Sequence, residues 1–358
     1  DTVRPFFGNG LGLSEGAFWK RQRQIAQPAF HRQRIIRMAE MMATKASEMV
    51  DSWEKLADRG EPIRALDEFM KLGLAVVTRA MFSTEVNDKF RSFADSLTHV
   101  LKGAEQKVWS ILPVPMFIPT ARNRSFKKAL DEMNDVVFGV LEERRAYKEA
   151  GGEPHGDLLD MLMDARDDDG NGMTDQQLGD EIRTIFIAGV ETLACSMAFT
   201  LYELWRHPEA HQRLREEADA VLGDRMVTFE DLPNLPYAKM VFDEGMRLYP
   251  PVWTVSRQPL EDDVLGGHTV PAGATVQISP YIIHRDGRWW ERPTDFYPEH
   301  HEAEKSKARP KYAFMPFGGG PRVCLGKNFA LMEAQIALAT SAQRVDLALL
   351  EGHEVEEQ

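Results

Sequence analysis

Cysteine is almost absent: Cys195 and Cys324 are the two present in 358 residues, too few for a disulfide framework and in keeping with a reducing compartment. The longest uncharged stretch, Val264 to His284, is broken by Pro271 and Pro280 and holds three glycines, so it cannot be a membrane-spanning helix. No signal peptide is visible. The chain opens at Asp1 without an initiator Met, which leaves an N-terminal anchor or targeting segment open; the expectation is a soluble, cytoplasmic protein. Repeats and low-complexity segments are missing too. Positive charge is in deficit, with a net −13, and that argues against nucleic acid as a partner. One segment breaks the trend. From Gly16 to Ala39 the chain carries Lys20, Arg21, Arg23, Arg32, Arg34 and Arg37 and no acid, which reads either as a solvated helix face or as a docking patch for an acidic partner.

What is present is a helical pattern over a chain that is 43% apolar, ample for a buried core. Ser14 is placed to cap a helix running to about Gln27, and further helices read at about 31–50, 63–82, 87–102 and 120–150. Val108 to Ala121, uncharged and broken by Pro113, Pro115 and Pro119, reads as an apolar loop. Thr174 and Gln177 form a capping box, and the pattern then stays helical to His207-Pro208. This long central helix, about 175–206, is a rod of about 48 Å at 1.5 Å per residue. Helices from Pro208 and Pro236 follow. Residues 264–270 and 274–279 alternate around Pro271-Ala272-Gly273, which reads as a β-hairpin. After an irregular stretch, Trp289 to Ala313, comes a final helix, about Leu325 to Arg344. The fold class is mainly α with small β-sheets.

The chemistry concentrates in a glycine-rich loop, Phe317-Gly318-Gly319-Gly320-Pro321-Arg322-Val323-Cys324-Leu325-Gly326. No Lys-Ser/Thr follows the glycines, so a phosphate-binding loop is unsuited. A cysteine on a glycine-rich turn at the start of a helix is placed to be a thiolate. The glycines admit a large flat ligand, and Arg322 offers a cation for a carboxylate. A buried structural cysteine is the competing reading. The loop matches the Phe-x-x-Gly-x-Arg-x-Cys-x-Gly signature at every fixed position, and the chain thereby resembles the cytochrome P-450 family along essentially its whole length.

The resemblance implies a single, partial cytochrome P-450 domain over 1–358, with haem b held by Cys324 and cradled by Phe317, Gly320 and Gly326. In the long helix Ala188-Gly189-Val190-Glu191-Thr192 resembles the oxygen-activating segment. There Ala188 and Gly189 make room for the haem, Thr192 orders water beside the iron, and Glu191 relays protons. The bland alternative for Thr192 is a bond back to the helix carbonyl. Trp19 and Arg23, with Arg257 and Arg322, are implied to bind the haem propionates. Glu244 and Arg247, at i,i+3 on one helix face, resemble a buried pair that secures the stretch before the cysteine loop. Its usual third member is an Arg, where this chain has His300. The implied reaction is insertion of one oxygen atom from O₂ into an apolar small molecule. Electrons would come from NAD(P)H through an acidic ferredoxin or a flavin reductase docking on the basic segment 20–37, with Lys311 and Lys327. Phe186, Val252, Trp253 and Val255 point to a lipid-, terpene- or aromatic-like substrate. A hydroperoxide-using haem-thiolate isomerase or peroxygenase is one alternative, against which Glu191-Thr192 speaks; a non-catalytic haem-binding protein is another. Compared with the family pattern, the N-terminal region and the C-terminal hairpin are expected to be missing. Asp167-x-Asp169-x-Asn171-Gly172 copies half a calcium loop but has Leu178 at its twelfth position, so it reads as a solvated turn.

Overall fold

The computed structural model describes Arg4 and residues 8–108 and 114–355, with backbone only for Arg32 and 105–108. Helices are α1 (Gly16–Ala26), α2 (Arg32–Ile36), α3 (Ala39–Ala57), α4 (Ala65–Phe82), α5 (Asp88–Val108), α6 (Ala121–Glu149), α7 (Leu158–Asp164), α8 (Asp175–Arg206), α9 (Pro208–Leu222), α10 (Pro236–Leu248), α11 (Pro280–Ile283), α12 (Ala303–Ala308) and α13 (Lys327–Arg344). Strands β1 (Val255–Arg257), β2 (Asp263–Leu265), β3 (His268–Val270) and β4 (Val276–Ile278) make two two-stranded sheets. The mainly helical class with small sheets is as expected, and α8 has the expected bounds. Its capping box is present, with the Thr174 N–H donating to Gln177 Oε1 (2.8 Å) and the Gln177 N–H to Thr174 Oγ1 (3.2 Å). By length and composition α8 is the one described helix apolar enough to cross a membrane, with 44% of its most apolar stretch buried inside the protein.

Three local expectations are corrected. Ser14 does not cap α1: the helix starts at Gly16 after Glu15, and the Ser14 hydroxyl is buried with no hydrogen-bond partner among the described residues. The reason lies upstream, where the 8–14 loop is tied to α8 by the Asn9 N–H on Asp180 (2.8 Å) and the Leu11 N–H on Glu181 (3.0 Å). The helix expected at 31–50 is broken at Arg37–Met38 into α2 and α3. The hairpin is also placed differently. β2 pairs with β3 (Val264↔Thr269), and β4 pairs with β1 (Val255↔Ile278), not with its neighbour. The two-residue connection Gly266-Gly267 has φ of +58° and +85°, the positive values that a tight hairpin turn requires; the Gly-Gly pair was the signal to read. Part of the apolar loop, including Pro113, lies outside the described residues.

The chain divides into two compact units, residues 1–38 with 71–191, and residues 39–70 with 192–358. In the first, α4 meets the first half of α8 closely. A Cβ on Gly73 would stand 3.3 Å from Val190 Cα, and one on Gly189 would stand 2.9 Å from Val77 Cγ2. Phe186 stacks with Phe82 (5.6 Å) and meets Phe93 edge-on (4.9 Å). At 1% exposure it belongs to this aromatic core, which corrects its reading as a substrate-facing residue. Arg144 is buried between Asp157 and Asp160, at 2.7 and 2.8 Å.

The second unit is centred on α13, which packs against α3, α9 and α10. Twelve of its eighteen residues are buried, so this helix is apolar nearly all round and sits in the core. Glu333 is the one ionisable residue among the twelve: it is 2% exposed, neither carboxylate oxygen has a hydrogen-bond partner among the described residues, and burial pushes its carboxyl up to about 8. The folded protein therefore holds this proton more tightly than the unfolded chain does. The stability that this group contributes is complete below about pH 4.5, falls as pH rises, and is gone above about pH 8; between about pH 5 and 7 the loss from this group is roughly 2–3 kcal/mol. Glu333→Gln removes that contribution, so thermal unfolding of the variant should vary less over this range. Parallel pH curves for the two proteins would refute the buried, unpaired assignment.

Candidate active site

The cysteine loop begins with a tight turn at Met315–Gly318, closed by the Gly318 N–H on the Met315 carbonyl (2.9 Å) with Gly318 at φ +71°. A second turn, at Gly320–Arg322, starts with Gly320 at φ +67°. Both glycines occupy backbone conformations that side-chain-bearing residues avoid. The chain then doubles back, and the Cys324 N–H donates to the Phe317 carbonyl (3.0 Å). Cys324 is exposed. A Cβ built on Gly326 would stand 4.0 Å from the Cys324 sulfur. Helix α13 starts only at Lys327, with Gly326 as its N-cap; the cysteine sits in the loop ahead of the helix and not at its first turn, as expected from sequence. An exposed, soft sulfur donor on an open glycine loop, with the half-buried Arg322 two residues away, fits a haem with its iron and carboxylates.

Beside the loop, within the second unit, lies the Glu244 network. Gly245 makes it possible: a Cβ there would stand 2.1 Å from Thr200 Oγ1, so α10 lies hard against α8 and buries its neighbouring residues. Glu244 and Arg247 are both 0% exposed. Arg247 donates Nε and Nη2 to the two Glu244 oxygens, each at 2.8 Å. Its remaining donors reach the carbonyls of His284 (2.8 Å), Pro293 (2.7 Å) and Asp295 (2.8 Å). Glu244 also accepts the Tyr297 N–H (2.8 Å), with His300 Nδ1 and His301 Nε2 each 3.0 Å away. Burial alone would raise the Glu244 carboxyl. The bonds from His300, His301 and Arg247 outweigh it and hold the group well below the usual carboxylate range. Sequence reasoning found Glu244, Arg247 and His300 but did not place His301 on Glu244. It also missed Arg309, which stacks on Trp290 at 3.6 Å and donates to the His300 carbonyl at 2.7 Å. Two histidines and a stacked arginine thus occupy the place of the single arginine expected there.

On α8 the residues named from sequence share a partly open stripe. Ala188 is exposed and Glu191, Thr192 and Cys195 are half-buried, while Ile182, Phe186, Val190, Leu193 and Met197 are buried on the other faces. Gly189 has an ordinary packing reason, its contact with Val77. Trp19 and Arg23 are half-buried one turn apart on α1, and Arg257 is exposed on β1 with Nη1 on the Ser256 carbonyl (2.8 Å). The basic segment is less uniform than its sequence. Arg21 is tied by Nε to Asp167 (2.6 Å) and by Nη2 to the carbonyls of Asn171 and Gly172, whereas Lys20, Arg34 and Arg37 are exposed. That accounts for the Asp167–Gly172 turn as an anchor for α1.

The family profile described as Cytochrome P450 matches residues 1–358. Among curated proteins the chain is 35% identical over 346 residues to cyclooctatin synthase of Streptomyces melanosporofaciens, covering 96% of this chain and 74% of that one. It is 33% identical over 349 residues to cyclooctat-9-en-7-ol 5-monooxygenase of the same organism, with the same coverage. Cytochrome P450 4A14 of Rattus norvegicus is 31% identical over 361 residues, covering 96% of this chain and 71% of that protein. A profile match along the whole chain, with relatives sharing about a third of its residues, settles the lineage: the chain belongs to the cytochrome P450 family, haem-dependent monooxygenases that oxidise organic substrates with electrons passed from NAD(P)H by a redox partner.

Proposed function

We propose that Cys324 would hold the haem iron through its sulfur and that this chain oxidises an apolar, carbocyclic substrate. The observation that carries the reading is the exposed Cys324 sulfur on a loop whose backbone is fixed by glycine turns and by the buried Glu244 network. When bound, the haem supplies the oxygen chemistry, one atom of O₂ going to substrate and the other to water. The chain's own residues do the rest. Trp19, Arg23, Arg257 and Arg322 bind the propionates, whose charges are costly to bury unpaired. Phe317, Gly320 and Gly326 would shape the cradle on the cysteine side, and the exposed Ala188 keeps that face of the helix open, while Gly189 lets the helix pack closely on Val77. Glu191 would carry protons inward and Thr192 would offer the hydroxyl that orders water in the site, assistance worth roughly 10²–10⁴ in rate. The name of one relative, cyclooctat-9-en-7-ol 5-monooxygenase, supports a cyclic alcohol of that kind as the first substrate to try. A cytoplasmic setting suits two cysteines with no disulfide between them,.

Thr192→Ala tests the reading. Haem content and substrate binding should hold, while NADPH consumption runs on with hydrogen peroxide replacing most of the product. Glu191→Gln should slow the whole cycle more than it diverts it. Fully coupled product formation by Thr192→Ala would point to an enzyme that starts from an O–O bond already made.

The electron donor is proposed to be an acidic ferredoxin or flavin protein, docking on Lys20, Arg34 and Arg37, all exposed cations on an acidic chain. Lys20→Glu with Arg34→Glu should slow reduction by such a donor and flatten its salt dependence, with peroxide-driven turnover nearly unchanged. Arg21→Glu should instead loosen the fold through the 167–172 turn. Equal loss by both routes in the Lys20/Arg34 variant would make that face structural.

A further inference from the structure

We propose that His284 is a positioning residue for the cysteine loop: a neutral imidazole, protonated on Nδ1, whose Nε2 accepts the Met315 N–H and so sets where the Cys324 loop begins. This rests on Cys324 as the haem ligand.

His284 ends the one-turn helix α11, its N–H donating to the Pro280 carbonyl (2.8 Å). It is 0% exposed. Two bonds join it to different parts of the second unit. Its carbonyl accepts Arg247 Nη1 (2.8 Å), and its Nε2 accepts the Met315 N–H (2.9 Å). Met315 opens the turn closed by Gly318, and the Phe317 carbonyl in that turn accepts the Cys324 N–H (3.0 Å). One hydrogen-bonded route therefore runs from Glu244 through Arg247 and His284 to Met315, Phe317 and Cys324. Its hydrogen bonds are 2.8–3.0 Å long, and Met315 and Phe317 are joined along the chain through the turn itself. Pro316 has no N–H to offer, so the Met315 N–H is the donor by which the network grips the entrance to the turn.

A neutral imidazole has one donor and one acceptor nitrogen. Because Nε2 faces an N–H it must be the acceptor, which puts the proton on Nδ1. Burial, aided by the charge of Arg247, pushes the ring down to about 3, so the acceptor form holds across the neutral range. The charged groups facing it are Arg247, Arg285 and His301, all of which disfavour a second proton. Phe314 (5.2 Å) and Trp290 (6.4 Å, edge-on) wall the ring. Nδ1 has no hydrogen-bond partner among the described residues, an unusual cost for a buried donor that is understandable if the ring is kept for what Nε2 does.

The test uses the haem-loaded protein. With histidine labelled with ¹⁵N and the protein in its diamagnetic reduced CO complex, the His284 ring should be neutral with its proton on Nδ1; a proton on Nε2 would overturn the proposal. His284→Phe keeps a flat ring but no acceptor. It should bind haem yet lose most of the red-shifted Soret band of the reduced CO complex, and His284→Gln, which restores an acceptor, should recover much of it. A full red-shifted band in His284→Phe would sink the idea. If that variant does not fold, exchange of the wild-type Met315 amide decides, protection supporting the bond and rapid exchange refuting it. Cys324→Ala keeping the band would instead defeat the ligand assignment, and the His284 tautomer is read independently of that result.

Discussion

Cys324→Ser is expected to eliminate the red-shifted Soret band of the reduced CO complex and to lower monooxygenase turnover by orders of magnitude. Thiolate sulfur pushes electron density onto haem iron and favours O–O cleavage. A serine hydroxyl of similar size at the same backbone position is a hard, largely protonated donor that cannot replace it. The loop itself should survive, because the bonds that shape it are made by backbone: the Cys324 N–H on the Phe317 carbonyl, and Gly318 and Gly320 at their positive φ. Circular dichroism and thermal unfolding should accordingly be close to wild type while the spectrum changes completely. Cys195→Ala is the control. Cys195 is half-buried on α8, and its replacement should leave the band in place. A red-shifted band retained by Cys324→Ala would refute the assignment of the ligand.

How much of this was legible beforehand follows from the kind of interaction involved. The long helix α8 was readable to the residue because both of its ends are written locally, a Thr174/Gln177 box and a His207-Pro208 stop. The cysteine loop was readable because its glycines and its sulfur are fixed by backbone requirements that few other residues meet. Pairing was not. Strand β4 pairs with β1, as in Arg257↔Val276, across the whole β2–β3 hairpin, whereas the local alternation around Pro271 favoured a neighbour. Nor did the sequence say which arginines of the basic segment are free to meet a partner, since Arg21 is claimed by a turn 146 residues away. The Glu244 network shows both sides at once. Glu244 and Arg247 lie on one helix and their pairing follows from i,i+3 spacing. Arg309, Trp290 and His301 join through the irregular stretch, where no periodicity announces a contact. Replacement of the usual arginine by His300 was visible, but its compensation by a second histidine and a stacked guanidinium is a tertiary fact.

Glu244→Ala should yield little folded, haem-loaded protein, the second large effect. Arg247 is 0% exposed, and without Glu244 its charge is left in the interior with only the carbonyls of His284, Pro293 and Asp295. Breaking a buried ion pair by removing one partner costs roughly 3–5 kcal/mol, against a typical total stability of about 5–15 kcal/mol. The Tyr297 N–H and the two histidine rings lose their acceptor in the same step. Glu244→Gln separates charge from shape. It keeps an acceptor oxygen for Tyr297 but loses the charge and turns one oxygen into a donor that faces Arg247 or a histidine, so its yield should be only partly better. Acid acts on the same group. The folded protein holds the Glu244 carboxyl below its ordinary value, so this contribution is complete above about pH 4.5 and is lost as pH falls below it. Wild-type unfolding temperature should thus drop on acidification below that value, and more steeply than in Glu244→Gln, which has no carboxyl to protonate there. The assembly role is refuted if Glu244→Ala folds with normal haem content and loses activity alone, since that outcome belongs to a residue of the reaction itself.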